Sequence, residues 1–138
     1  MKYPNFNSCN KYKEGFEICD ISELKGKVIE SIEGLELNSD QVEITTNDGW
    51  LYIMYHSQDC CEFVRIEDVY GDKDDLIGSP ILEAEERTNG NQYDPYGSHT
   101  WTFYAFATSR GWVDIRWLGE SNGYYSEAVD IYKKRLTE

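Results

Sequence analysis

The chain has 138 residues, a length that suits one domain and leaves little room for a second. Its 26 acidic residues against 13 basic ones give a net charge of −13. Binding to a phosphate backbone or an anionic membrane depends on Lys and Arg, so this charge argues against direct nucleic acid binding and against membrane association. The same charge favours solubility, or an acidic face for a basic partner.

The pattern at the beginning of the chain predicts no targeting signal. Residues 1–10 contain no apolar run and a single basic residue, so we expect a cytoplasmic protein. Residues 1–22 are interpreted as an N-terminal extension and residues 23–138 as a single β-rich domain. The four cysteines are expected to be thiols in a reducing compartment unless they hold a metal. Cys60 and Cys61 are adjacent in the chain and are not expected to pair with each other.

Alternating apolar residues and turn signals predict a series of short strands. In chain order these are residues 27–32, 41–46, 50–55, 63–69, 80–88, 100–108, 112–118 and 124–132. Ser22 opens a turn or short helix that ends at Gly26, and the last strand could run into a short C-terminal helix. Residues 80–88 fit an edge strand slightly better than a helix. The pattern predicts a mainly β fold, with an antiparallel sheet, sandwich or partly closed barrel and one or two short helices.

The turn sequences give further detail. Asn47-Asp48-Gly49 predicts a hairpin, Ser109-Arg110-Gly111 a second hairpin with a short loop, and residues 89–97 a polar loop.

The first concentration of polar chemistry is the segment from His56 to Glu62. It contains the zinc-type ligands His56, Cys60 and Cys61 beside the carboxylates of Asp59 and Glu62. The spacing argues against a structural zinc site, which normally takes two separated pairs of ligands. One alternative is a small buried cysteine whose polar neighbours satisfy backbone groups at a corner. A Cys–His nucleophile pair is another, although no recognisable oxyanion pattern accompanies it.

The second concentration runs from Glu120 to Glu127. Asn122-Gly123 predicts a turn, and Tyr124 follows it. Glu127 is expected on the same face as Val129 and Ile131, which is the core face, so its carboxylate needs a partner or a raised pKa. Arg65, Arg116 or a Tyr hydroxyl is the expected partner. A buried Glu that only fixes the sheet is the alternative.

Aromatic and basic residues on the predicted long hairpin form a third set. Two rings with an Arg can clamp a flat ligand and meet its phosphate or carboxylate. Trp101 and Trp117 are expected in the core. Trp112 and Arg116 share the other face and are the better binding candidates.

Several segments of the chain resemble one family. They are residues 55–62, 71–72 with 75–81, 101–104 and 116–127. The sequence resembles, from about Leu24 to Ile131, small uncharacterised proteins of tailed bacteriophages and bacteria. The resemblance implies no established activity and no catalytic residues. It suggests an accessory protein that counters host defence in the host cytoplasm, by analogy of context.

Three functions follow as hypotheses. The first is a non-catalytic binding protein that sequesters a small nucleotide-like signal. Its candidate ligand residues are Asp59, Glu62, Arg65, Trp112, Arg116, Glu120, Asn122, Tyr124 and Glu127. The second is an acidic inhibitor that docks on a basic host protein and mimics nucleic acid. The third, less favoured, is a metal-dependent hydrolase using His56, Asp59, Glu62 and Glu127. A homo-oligomer with a shared site also suits so small a domain.

Overall fold

The computed structural model describes residues 15–58, 60–90, 92–95, 97–123 and 125–136. The strands in chain order are β1 (Glu17–Ile18), β2 (Ile29–Glu33), β3 (Gln41–Thr46), β4 (Trp50–Tyr55), β5 (Phe63–Tyr70), β6 (Glu83–Thr88), β7 (Gln92–Asp94), β8 (Gly97–Thr108), β9 (Gly111–Ser121) and β10 (Asp130–Arg135). Two 3-10 turns, Ile21–Leu24 and Lys73–Asp75, are the described helical elements. No helix among the described residues is long and apolar enough to cross a membrane.

The strands form two antiparallel sheets that share one core. The first sheet has the order β1-β10-β4-β3-β2, and the second has the order β5-β9-β8-β6, with β7 also paired to β8. One cluster of buried residues draws on both sheets, for example Ile44 and Met54 from the first and Phe106 and Trp117 from the second. The prediction of a mainly β, antiparallel fold is therefore confirmed, with a sandwich as the architecture.

The N-terminal part of the described chain belongs to this sandwich. β1 pairs with β10, with Glu17 opposite Lys133. Asp20 caps the first 3-10 turn, which buries Ile21 and Leu24 in the core. Burial, reinforced by the Glu23 carboxylate, raises the pKa of the neighbouring Cys19 thiol to about 12. Cys19 is therefore an uncharged thiol at neutral pH, a poor nucleophile and a poor metal ligand.

Four of the eight predicted strands, β2 to β5, lie within two residues of their expected ends. β6 begins three residues later than predicted, β8 begins three residues earlier and β9 ends three residues later. Two further predictions differ more. β7 occupies part of the segment predicted as a polar loop, and the last strand begins at Asp130, whereas the pattern placed its start at residue 124. β7 is only three residues long and fully exposed, so no apolar alternation marks it.

The two sheets differ on their outer faces. Behind the first sheet lies a second apolar cluster, in which Leu51, Ile53 and Tyr55 are buried and Tyr132 and Leu136 pack against them. The outer face of the second sheet instead carries large exposed side chains, namely Phe63, Tyr70 and Trp112. An apolar surface that the fold leaves open is a candidate for contact with another molecule.

Candidate functional site

A buried contact between a histidine and a glutamate joins the two sheets at one end of the sandwich. His56 follows directly after β4, and its Nε2 lies 2.7 Å from Oε2 of Glu62, the residue before β5. The His56 Nδ1 atom lies 2.6 Å from the backbone oxygen of Ala128. Both side chains of the pair are buried. We call this group, His56 with Glu62 and the Ala128 carbonyl, the histidine clasp.

The geometry of the clasp fixes the position of one proton. A backbone carbonyl oxygen can only accept, so the proton of the Nδ1 bond belongs to His56. One further proton is then shared between His56 Nε2 and Glu62, which gives either an imidazolium with a carboxylate or two neutral groups. The other Glu62 oxygen accepts from the backbone N–H of Cys60 at 2.8 Å. Since both ring nitrogens are engaged, the clasp is suited to holding the sheets together.

Glu127 occupies a pocket of hydroxyl groups at the same end of the sandwich. Thr100 donates to its Oε1 at 2.7 Å, and Ser98 and Ser121 both donate to its Oε2. The alpha carbon of Gly119 packs so closely that a Cβ there would lie 2.7 Å from the Glu127 Cβ. The expected burial of Glu127 is confirmed. Its partners, expected to be Arg65, Arg116 or a Tyr, are instead Ser and Thr hydroxyls, because residues 98 and 100 of β8 face inward beside Ser121.

The zinc ligands considered in the sequence do not assemble. Cys60 and Cys61 have their sulfur atoms 2.19 Å apart as a disulfide, so the prediction that these neighbours do not pair is wrong. His56 directs its nitrogens to Glu62 and Ala128. Among the residues that the structure describes, no group of three His, Cys, Asp or Glu side chains could hold a metal ion. Asp59, Tyr124 and Cys9 lie outside the described residues.

The remaining predicted ligand residues lie on or near the outer face of the second sheet. Arg65 is paired with Glu120 at 2.7 Å and with Glu67 at 3.3 Å, and its guanidinium lies 4.3 Å from the centre of the Phe63 ring. Asn122 and Glu120 line a shallow depression of about 390 Å³ together with Cys61. The structure thus separates Arg65 and Glu120 on the surface from Glu62 and Glu127 in the interior.

Trp101 lies on this outer face, whereas the sequence placed it in the core. Trp117 is buried, as predicted, but its partner across the hairpin is Thr102, and Trp101 pairs with Leu118. Arg116 packs over the Trp101 ring with 4.8 Å between the guanidinium carbon and the ring centre. Trp101 in turn stacks on Phe103, with 6.4 Å between ring centres. The Arg116 guanidinium therefore packs on a pair of stacked aromatic rings.

A cleft of about 620 Å³ opens on the same face, between β9 and β6. Its floor is Ala105 of β8, a small residue set between Asp114 and Glu85 on the neighbouring strands. Its walls are larger side chains, namely Tyr70, Phe103, Glu83, Glu85, Arg87, Asp114 and Arg116. We call this the outer cleft. Its volume is in the range of natural ligand sites, and its walls combine rings with charges of both signs.

Sequence reasoning singled out Arg116 but missed the other walls of the outer cleft. Tyr70, Glu85 and Asp114 come from three different strands, and only the strand order brings them together. A signal for Ala105 was present, because two alanines, Ala105 and Ala107, alternate with large inward residues on β8. Small residues at the middle of an exposed sheet face leave a depression there.

A profile described as a domain of unknown function, DUF7448, matches residues 22–131. The match covers well over half of the chain. The chain belongs to the DUF7448 family. Comparison of this DUF7448 protein with curated proteins and with solved structures found no match in either case. The matched region includes the histidine clasp, the Glu127 pocket and the whole outer cleft.

Proposed function

We propose that this DUF7448 protein is a non-catalytic binding protein whose outer cleft docks a basic segment of a partner protein. This proposal rests on the side chains that line the outer cleft around Ala105. Three carboxylates, those of Glu83, Glu85 and Asp114, line this open cleft together with the Tyr70 ring. Rings and carboxylates together suit a cationic side chain, through cation–π contact and ion pairing.

The charge of the molecule supports the same proposal. The net charge is −13, and Asp72 and Asp74 extend the acidic character beyond Tyr70 at the second 3-10 turn. A surface of one sign attracts a partner of the other sign and accelerates association at low salt. The resemblance to bacteriophage proteins supports a host defence protein as the class of partner, in which case the acidic face would stand in for nucleic acid.

A small nucleotide-like ligand is the second candidate, and one observation favours it. Arg116 forms no ion pair with any residue that the structure describes, although acidic residues outnumber basic ones two to one. Such an arginine, supported on Trp101, is able to meet a phosphate. Arg65, in contrast, is already neutralised by Glu67 and Glu120. An anionic ligand would need arginines concentrated in one place, so the basic partner is the better-supported proposal.

The hydrolase hypothesis receives less support from the geometry. Glu127 is 3% exposed and His56 is 4% exposed. The hydrogen bonds of the clasp and of the hydroxyl pocket engage both His56 nitrogens and both Glu127 oxygens. Groups so buried and so engaged have no contact with a substrate, and their arrangement suits stabilisation of the fold.

The test is native mass spectrometry of the tagged protein after capture from bacterial lysate, at low and at raised salt. We expect a complex with a basic protein that dissociates as salt increases. Ala105→Trp, which fills the outer cleft, should abolish the complex. Ile18→Trp introduces the same ring at an exposed position of β1 in the first sheet and should leave the complex intact. A nucleotide-sized adduct would support the second candidate, and a bare homo-oligomer would contradict both.

A further inference from the structure

We infer that the acidic half of the outer cleft is a seat for one arginine side chain of the partner, with its guanidinium above Ala105 and paired to Asp114. This inference rests on the proposed docking of a basic segment, and it names the chemical group that the cleft selects.

The register of the second sheet builds the seat. Tyr70 of β5 lies opposite Asp114 of β9, Asp114 lies opposite Ala105 of β8, and Ala105 lies opposite Glu85 of β6. These four residues therefore form one row across the outer face. Neighbouring strands are about 4.8 Å apart, so the two carboxylates stand about 10 Å from each other with only a methyl group between them. A flat group can lie on that methyl and reach an oxygen on either side.

Asp114 has unused hydrogen-bonding capacity. Its carboxylate forms no hydrogen bond and no ion pair with any other described residue, although the residue is half-buried. Glu85, across the row, has Arg87 at 3.5 Å, and that arginine is 81% exposed. A half-buried carboxylate gains more from an ion pair than a fully solvated one, because less water competes for it. Asp114 is thus the stronger anchor of the row.

The shape of the seat selects arginine over lysine. A guanidinium is planar and presents a fork of N–H groups, which matches the two oxygens of one carboxylate. It also stacks on an aromatic face, and the Tyr70 ring borders Asp114 in the same row. Lysine offers a compact ammonium that is strongly hydrated and makes neither the paired bonds nor the flat contact.

The basic residues of the cleft restrict where the arginine sits. Arg116 and Arg87 both flank Phe103 in the next row of the sheet. Arg116 donates to the Tyr70 hydroxyl at 3.3 Å. This hydrogen bond holds both side chains between the row of Phe103 and the row of Asp114. Their charges repel an incoming cation from the Phe103 row and direct it to the row of Asp114 and Glu85, next to Glu83.

The experiment uses three short Gly-Ser peptides that differ only in carrying several Arg, Lys or citrulline residues. Each is titrated into the full chain, and binding is followed by tryptophan fluorescence, since Trp112 is 64% exposed on the same face. We expect the arginine peptide to bind about tenfold more tightly than the lysine peptide, and the citrulline peptide not to bind. Asp114→Asn should lose about tenfold for the arginine peptide and remove the preference over lysine.

Two further variants separate the seat from general charge. Glu30→Gln removes one negative charge at an exposed position of β2, in the first sheet, and should change arginine-peptide affinity less than twofold. Ala105→Leu keeps every charge and should still weaken binding, because it fills the floor. Equal binding of arginine and lysine peptides, unaffected by Asp114→Asn and Ala105→Leu, would overturn the seat but leave docking by charge. Absence of binding to either cationic peptide at low salt would overturn both.

Discussion

At the scale of single residues, the buried carboxylate of Glu127 shows how a charge is tolerated in an apolar interior. Its two oxygens are satisfied by Ser98, Thr100 and Ser121, so the anion keeps the hydrogen bonds it would have had in water. The three donors come from two strands, β8 and β9, and the acceptor from the segment that leads into β10. One side chain thereby ties the second sheet to the last strand of the first.

Glu127→Ala should therefore destabilise the protein by about 3 kcal/mol, since the buried Ser98 and Thr100 hydroxyls and the part-buried Ser121 hydroxyl lose their common acceptor. Thr100→Val, which removes a single donor and keeps the shape, should cost about 1 kcal/mol. Urea unfolding measures both. Glu30→Ala, at an exposed position of β2, should change the free energy of unfolding by less than about 0.5 kcal/mol. A Glu127→Ala protein as stable as the Glu30→Ala control would show that the hydroxyl pocket does not stabilise the fold.

For Glu86, in contrast to Glu127, we expect that removing the carboxylate stabilises the protein at neutral pH. Burial raises the pKa of its carboxyl, and the carboxylates of Asp20 and Asp130 add to the rise. The carboxyl therefore binds its proton more strongly in the folded state than in the unfolded chain. Its contribution to stability is complete below the unfolded pKa of 4.5 and is lost as pH rises through the higher folded pKa. Glu86→Gln, which stays neutral, should raise the melting temperature at pH 7 and have little effect below pH 4.5. A variant that melts lower than wild type at pH 7 would contradict this.

At the scale of elements, the β8–β9 hairpin decides which residues face the outside. Thr108 pairs with Gly111, so the connection is a two-residue turn. The sequence suggested a three-residue loop, Ser109-Arg110-Gly111. That loop would shift the register by one residue and place Trp101 and Trp117 on the same face. Side chains alternate with a period of two, so a shift of one residue moves a whole set to the other side.

The sequence was informative about elements that a strong local pattern marks. The β3–β4 hairpin was predicted with its correct ends, because Asn47-Asp48-Gly49 separates two runs of β-forming residues. The outer cleft was not predicted, because Tyr70, Glu85 and Asp114 meet only through the order β5-β9-β8-β6. Strand order depends on long-range pairing, for which one sequence gives no local signal.

The histidine clasp makes a prediction at this scale, because it joins the end of β4 to the start of β5. His56→Ala removes the hydrogen-bond partner of the buried Glu62 side chain and should cost about 2 to 3 kcal/mol. Chemical denaturation followed by circular dichroism gives the value. His99→Ala is the matched control, since His99 is partly exposed and its contact with Asp94 is 3.8 Å long. A loss of stability no larger than that of His99→Ala would show that the histidine clasp does not stabilise the fold.

At the scale of the whole molecule, the charge of −13 acts on folding and on binding in opposite directions. Within the chain, like charges repel one another and destabilise the compact state. Towards a basic partner, the same charges attract. Salt screens both effects, with a Debye length that falls to about 10 Å at 0.1 M and about 3 Å at 1 M.

Raising NaCl from about 0.05 M to about 0.5 M should therefore raise the melting temperature and weaken capture of the partner. Differential scanning fluorimetry and the capture assay measure the two trends on one sample. Two ion pairs, Lys27 with Asp48 and Lys133 with Glu23, oppose the first trend because salt also screens them. A melting temperature that falls with salt would show that such pairs outweigh the general repulsion.

The side chains of β8 alternate strictly between the interior and the outer face of the second sheet. Residues 98, 100, 102, 104, 106 and 108 are buried in the interior, and the residues between them face outward. A substitution at an outward position such as 105 can therefore change the shape and charge of the outer cleft without disturbing the packing on which folding depends. The two faces of this one strand can vary independently, because stability depends on the inner positions and surface chemistry on the outer ones.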